Sequence, residues 1–175
     1  MLLPLPHDRP RRVVGCMTGT SLDGLDVAFI EFDGVGSNLT VRSIQHAHAS
    51  LGSLRDDLRR ALNTPLSVAS FAHLGRELGV LHAETIRRAW PGLLPDLVVA
   101  HGQTLMHRPP LSLQLLNPWP IATMLGCAVV SDLRGRLLAD GAEGAPITPM
   151  ADRILYKEHL STAPFAIVNL GGFAN

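Results

Sequence analysis

Cysteine is scarce, with only Cys16 and Cys127 in 175 residues. That leaves room for one disulfide at most, and nothing requires it. Both residues sit in apolar, strand-like runs, so buried reduced thiols are expected, as in a cytoplasmic protein. Net charge is missing as well: 15 Lys and Arg balance 15 Asp and Glu, so no overall field steers the chain towards nucleic acid or an anionic membrane. The one basic run, Arg9-Pro-Arg-Arg12, is too small to change this. No apolar stretch approaches the roughly 20 residues that a membrane-spanning helix needs. Met1-Leu-Leu-Pro-Leu-Pro6 has neither the charged start nor the long apolar segment of a signal peptide. The Walker lysine pattern is absent, as is a dinucleotide fingerprint opening a helix, which points away from P-loop and Rossmann enzymes. Internal repeats and low-complexity segments are lacking too.

What is present supports a folded core. With 46% apolar and 17% charged residues, the chain suits one medium globular domain or part of a larger one. Val13 to Phe32 reads as an apolar strand, a tight polar turn and a second apolar strand. The turn Thr18-Gly-Thr-Ser-Leu-Asp-Gly24 combines two glycines with three hydroxyls and an acid. Amide groups in such a turn can cradle phosphate oxygens, and the hydroxyls add donors. Asp23 and Asp26 can hold a magnesium ion, directly or through water. The competing reading is a plain hairpin, since Gly, Ser, Thr and Asp are ordinary turn residues. A phosphate bound here would lie in a β-hairpin cradle rather than at a helix N-terminus.

Periodicity places the remaining elements. Leu39 to His48 alternates as a third strand. Ser53 is positioned to cap a helix with Leu54, Leu58, Ala61 and Leu62 on one face, stopped by Asn63-Thr-Pro65. Val68 to Trp90 is a longer helix with a stripe of Phe71, Leu74, Leu78, Leu81 and Thr85, and its His73 and His82 read as solvated or satisfied side chains. Asp96 to Ala100 has the β-rich character of a buried parallel strand. Leu111 to Leu116 is a strand, Pro120 to Leu125 a short helix closed by Gly126, and Cys127 to Val130 a buried strand. Thr148 to Leu160 is a helix with Ala151, Ile154 and Leu155 inward, and Phe165 to Leu170 a final strand. The class is α/β.

Chemistry collects where these strands end. Asp132 follows the Cys127 to Val130 strand, and ligand sites of open α/β sheets lie beyond the carboxyl ends of strands. A carboxylate there can accept a proton from an attacking water; it can equally cap the next turn. His101-Gly-Gln103 follows the Asp96 to Ala100 strand and can hydrogen-bond a sugar hydroxyl or a carboxylate. Arg134 can pair with an anion, although arginine often serves a structural ion pair. His46 and His48 share a strand face, but no third or fourth metal ligand is evident, and His101 and His107 have no metal spacing.

Met17-Thr-Gly-Thr-Ser-Leu-Asp-Gly-Leu-Asp26 resembles the first phosphate loop of the anhydro-N-acetylmuramic acid kinases. Further matches follow in order: Ala100-His-Gly-Gln-Thr104, Leu113-Gln114 with Pro118 and Ile121-Ala122, Val130-Ser-Asp-Leu-Arg134, Gly144-Ala-Pro146 and Val168-Asn-Leu-Gly-Gly-Phe-Ala-Asn175. The resemblance implies an RNase H-like domain of the actin/hexokinase-like superfamily, opening with a three-stranded antiparallel meander. It further implies that residues 1–175 form the N-terminal half of a two-domain sugar kinase. The second domain would then carry the adenosine pocket. ATP and Mg2+ are the implied cofactors, and the implied full-length state is a homodimer in the cytoplasm. Carried over residue by residue, Asp132 is the catalytic base. Gly19, Thr20, Ser21, Leu22, Asp23, Gly24, Leu25 and Asp26 form the first phosphate loop, Asp23 and Asp26 being its metal-orienting acids. Gly171 and Gly172 belong to a second phosphate loop, and His101, Gln103 and Arg134 face the substrate.

The implied reaction opens 1,6-anhydro-N-acetylmuramic acid with water and phosphorylates O6, in cell-wall recycling. The match has gaps. Gln114-Leu-Leu-Asn-Pro118 stands where the family usually has Gln-Ile-Gly-Asp-Pro. Asp132-Leu-Arg-Gly-Arg-Leu137 stands for Asp-Phe-Arg-Arg-Arg-Asp, and Gly141-Ala-Glu-Gly144 for Gly-Gly-Gln-Gly. Two other readings therefore stay open: a diverged kinase of another sugar, and a non-catalytic module that binds a partner. The isolated chain is expected to turn over slowly or not at all.

Overall fold

A computed structural model describes residue 6, residues 8–159 and residues 166–168. Five strands form one mixed sheet in the order β3-β2-β1-β4-β7, comprising β1 Arg11–Thr18, β2 Leu25–Asp33, β3 Thr40–Ala49, β4 Leu97–His101 and β7 Ala128–Val130. β1 pairs antiparallel with β2, and β2 with β3; β4 lies parallel to β1, and β7 parallel to β4. This is a mixed α/β architecture compatible with an actin-like ATPase fold. Among the described residues, no helix is long and apolar enough to cross a membrane.

Alternation decides which face of the sheet is covered. Val14 and Cys16 of β1, Val27 and Phe29 of β2, and Val98 and Ala100 of β4 point to one side. There they meet Ala83, Ile86 and Trp90 of α2 (Val68–Ala89, with its cap residue Trp90) and Ile121 and Leu125 of α3 (Trp119–Leu125). Trp90 packs its ring 5.5 Å from that of Phe29, and its indole N–H donates to Gln45 Oε1 at 2.8 Å, so its polar edge is satisfied as its body is buried. Ser67 Oγ caps α2 by accepting from the Ser70 amide at 3.1 Å. Gly126, left-handed at φ 65°, ends α3.

A second apolar cluster sits beside the first. Leu22, Leu51, Leu58 of α1 (Leu54–Asn63), Leu74 and Leu78 of α2, and Leu115 pack together. Leu115 belongs to β6 (Leu111–Leu115), which pairs antiparallel with β5 (Gln103–Arg108) in a separate two-stranded sheet. The strand β5 and the five-residue helix α4 (Gly135–Ala139) have no counterpart in the sequence reading.

Four expectations change. Ser53 stands at the start of α1, but its side chain makes no capping bond. His82 is not solvated: it is fully buried, with Nδ1 on the Leu78 carbonyl at 2.7 Å and Nε2 unpartnered. The helix expected over 148–160 is α5, Pro149–Leu155, and it carries no buried residue. It is too short to bury a stripe, and a cavity separates it from the uncovered face of the sheet. Of the expected strand 165–170, residues 166–168 carry no strand and the rest lies outside the described residues.

Candidate functional site

Because β1, β4 and β7 run parallel, their carboxyl ends share one edge of the sheet. Three of the singled-out stretches leave from that edge: the Gly19–Gly24 loop after β1, His101 to Gln103 at the end of β4, and Asp132 after β7. Residues more than a hundred positions apart are thus brought together by strand direction alone.

The first loop is anchored from below. The Leu22 amide donates to the Gly19 carbonyl at 3.2 Å, closing a turn, and Leu22 takes a left-handed backbone with φ 56°. Such a conformation is strained for a leucine. It is held because the side chain, 3% exposed, is plugged into the second apolar cluster. Burial of a leucine is worth about 1.5–3 kcal/mol, more than the roughly 1–2 kcal/mol of a left-handed residue. Thr20, Ser21 and Asp23 are left facing solvent. Asp23 Oδ1 accepts the Gly24 amide at 3.1 Å. Its carboxyl is held below the ordinary value by the Ser21 hydroxyl first, then by backbone amides and the charge of His48. Leu25 is buried in the main core, and Asp26 Oδ1 lies 2.9 Å from His48 Nδ1.

The buried hydroxyl of Thr18, at the head of the loop, has no partner. The outward hydroxyls of Thr20 and Ser21 and the ionised Asp23 make a set suited to phosphate oxygens and one carboxylate-bound magnesium. Among the described residues no group of three or more His, Cys, Asp or Glu side chains forms a metal cage. Magnesium does not require one, since it keeps waters and takes only one or two carboxylates beside phosphate. The loop therefore fits the implied groups.

Asp132 is exposed and left-handed, φ 54°. Its Oδ1 accepts the Gly135 amide at 3.1 Å, and a Cβ at residue 135 would come within 2.9 Å of its Cγ. The capping reading and the site reading thus coexist: the bond that opens α4 also fixes this carboxylate. His101, 6% exposed, has Nδ1 unpartnered and Nε2 3.5 Å from Thr104 Oγ1. Burial first, and then the charge of Arg134, lower its pKa, while Asp132 acts in the opposite sense. His101, Asp132 and Arg134 therefore form one electrostatic neighbourhood. Arg134 donates to the Gly144 carbonyl at 2.8 Å; its Nε is buried without a partner, and burial lowers its pKa. Gln103 is fully buried with Oε1 unpartnered.

A cavity of about 680 Å³ lies on the uncovered face of the sheet. Gly15, Ala28 and Val99 are among its lining residues, along with His46, His48, Asp26 and His101. Sequence reasoning placed His46 and His48 on one face, which the structure shares, but gave His48 no part in the loop. Gly171 and Gly172 lie outside the described residues.

Comparison with known proteins identifies the family. A family model described as anhydro-N-acetylmuramic acid kinase matches residues 11–175. The anhydro-N-acetylmuramic acid kinase of Salinibacter ruber is 38% identical over 190 residues, covering 97% of this chain and 47% of that protein. The one from Rhodospirillum rubrum is 40% identical over 173 residues, covering 93% and 44%. This chain spans about half the length of the curated relatives it matches. The crystal structure of human ENDOV aligns over 67% of this chain and 43% of that one, at 13% identity and a TM-score of 0.34, which carries no argument. With a match over nearly its whole length and the loop, His101 and Asp132 gathered on one sheet edge, the chain belongs to the anhydro-N-acetylmuramic acid kinase family.

Proposed function

We propose that this chain is the phosphate-loop half, an RNase H-like domain, of an ATP-dependent kinase acting on 1,6-anhydro-N-acetylmuramic acid. The observation that carries the reading is the convergence of the Gly19–Gly24 loop, His101 and Asp132 on the carboxyl edge of three parallel strands. The strand order, with three antiparallel strands followed by parallel ones, supports the finer fold.

In this reading Asp132, its carboxylate aimed by the Gly135 amide, takes a proton from water as the water oxygen bonds to the anomeric carbon. The bond from that carbon to the bridging oxygen breaks, and the oxygen, now O6, takes the γ-phosphoryl group of ATP as the bond to the β,γ-bridging oxygen breaks and ADP leaves; the proton on Asp132 passes to solvent. His101, kept neutral by burial, and Arg134 hold the sugar's polar groups, with Gln103 beneath them. The hydroxyls of Thr20 and Ser21 and the amides around Gly19 receive the phosphate tail, and Gly171 and Gly172 would belong to a second phosphate loop. Asp23 or Asp26 would hold Mg2+, which supplies charge neutralisation at the phosphoryl oxygens. ATP is gripped between two closing domains in this scheme, so residues 1–175 alone turn over slowly or not at all. The place of action would be the cytoplasm, in peptidoglycan recycling, with a homodimer as the full-length state.

The test is a chimera joining residues 1–175 to the second half of the Salinibacter relative, assayed for ADP release with the anhydro sugar. Turnover is expected, falling about 10²–10⁴-fold with Asp132→Asn, the range for a lost general base. Robust turnover by residues 1–175 alone, or an Asp132→Asn chimera as active as its parent, would overturn the assignment. One observation favours a diverged sugar substrate: Leu137 is 43% exposed at the position where the resembled motif carries an acid. A panel of sugars on the same chimera separates the two.

A further inference from the structure

Every loop residue singled out so far lies between Gly19 and Asp26, yet one side chain touching this stretch comes from another strand. His48 stands on β3, 22 residues beyond Asp26, and the register places the two directly opposite each other. Its Nδ1 is 2.9 Å from Asp26 Oδ1. Its ring also covers Gly24: a Cβ on that glycine would overlap Cε1 and Nε2 of the imidazole and come 2.8 Å from the Ala49 carbonyl. A single imidazole thus meets both Gly24 and Asp26 at the loop's exit.

The physical consequence follows from what holds each partner. Asp26 is an exposed carboxylate on a short stem, and alone it would sample several rotamers. His48 sits on a strand fixed by nine residue pairs with β2, so its backbone is a stable reference. The bond between them engages one carboxylate oxygen, Oδ1. Gly24 admits the ring because it lacks a side chain.

We infer that His48 is a positioning residue for the phosphate loop, clamping its exit by packing on Gly24 and fixing the rotamer of Asp26. The consequence for metal binding rests on the kinase reading; the clamp itself concerns the free loop.

The experiment uses the 175-residue chain, ¹⁵N- and ¹³C-labelled, with two substitutions. His48→Phe keeps a ring over Gly24 but loses the bond to Asp26. His48→Asn keeps a donor near the Nδ1 position. The readouts are the side-chain couplings of Asp26, backbone order over residues 19–26, and line broadening by Mn2+ added alone. In His48→Phe the Asp26 couplings should become averaged. The Mn2+ affinity at Asp23 and Asp26 should fall about three- to tenfold, the scale of one ordinary solvent-exposed hydrogen bond. His48→Asn should recover both, while the amides of Val14, Val27 and Val98 keep their protection throughout. Couplings in His48→Phe identical to those of the parent overturn the inference. Should that variant fail to fold, averaged couplings in His48→Asn overturn it instead. Loss of Asp26 order in His48→Phe, with no Mn2+ broadening even in the parent chain, leaves the clamp standing and sinks the metal reading alone.

Discussion

Acid should destabilise this protein most strongly through the one fully buried histidine among the described residues. His82 lies in the middle of α2, wholly shielded from water, and burial lowers its pKa from 6.5 to about 4, only partly offset by the bond to the Leu78 carbonyl. Above pH 6.5 the ring is neutral in both the folded and the unfolded chain, so it contributes no pH dependence. As pH falls below 6.5 the unfolded chain takes up a proton that the folded one refuses, and stability declines. The decline ends near pH 4, where both forms are protonated. Integrated over that window, a shift from 6.5 to about 4 is worth about 3.4 kcal/mol. About 2 kcal/mol of it should appear between pH 7 and pH 5, a large part of a small domain's stability. Urea unfolding at pH 7, 6 and 5 would measure this for the parent and for His82→Leu, which fills similar space and cannot titrate. The variant should lose about 2 kcal/mol less than the parent over the interval. Parallel losses would refute the reasoning, because the carboxylates and His101 titrate alike in both proteins.

Two further outcomes follow from burial. Leu22→Ala should destabilise the chain by about 2–5 kcal/mol, the range for emptying a leucine site in a core. Thermal melts would check the size, and ¹⁵N relaxation would show the loop of residues 19–24 losing order along with it. Burial drives the Cys16 thiol up to about 12, whereas Cys127 is half-buried and raised less. Iodoacetamide at pH 8 should therefore label Cys127 first in the native chain, with Cys16 reacting only after denaturation; equal native rates would contradict the packing.

The legible parts of this fold were those carried by local pattern. The stripe Leu74, Leu78 and Thr85 is buried as its spacing demands, and Gly126 ends α3 as a left-handed residue. The Thr18–Gly24 turn declared itself through glycine and hydroxyl content. What stayed hidden depends on partners distant in the chain. Gln103 to Arg108 has weak strand character and becomes β5 because β6 supplies its ladder. The helix α4 is five residues long, below the length at which a period can be read. His82 looked ordinary because a helical stripe specifies a direction, not the depth of what lies across from it. For His48 the missing information was register: only the pairing of β2 with β3 sets it opposite Asp26. Asp132 was legible as a candidate from its place after a strand, but the bond from Gly135 that orients it was not.

Position 22 makes two demands that pull in different directions. Its main chain sits where glycine is comfortable, at φ 56°, while its side chain fills a hole among Leu51, Leu58, Leu74, Leu78 and Leu115. Mutation to glycine would ease the first and forfeit the second; valine or isoleucine would satisfy neither, being stiff at χ1 and ill-suited to a positive φ. Random drift at this site is therefore trapped between opposing penalties. In a library of variants selected only for folding, position 22 should come back as leucine while its neighbours Thr20 and Ser21 wander freely.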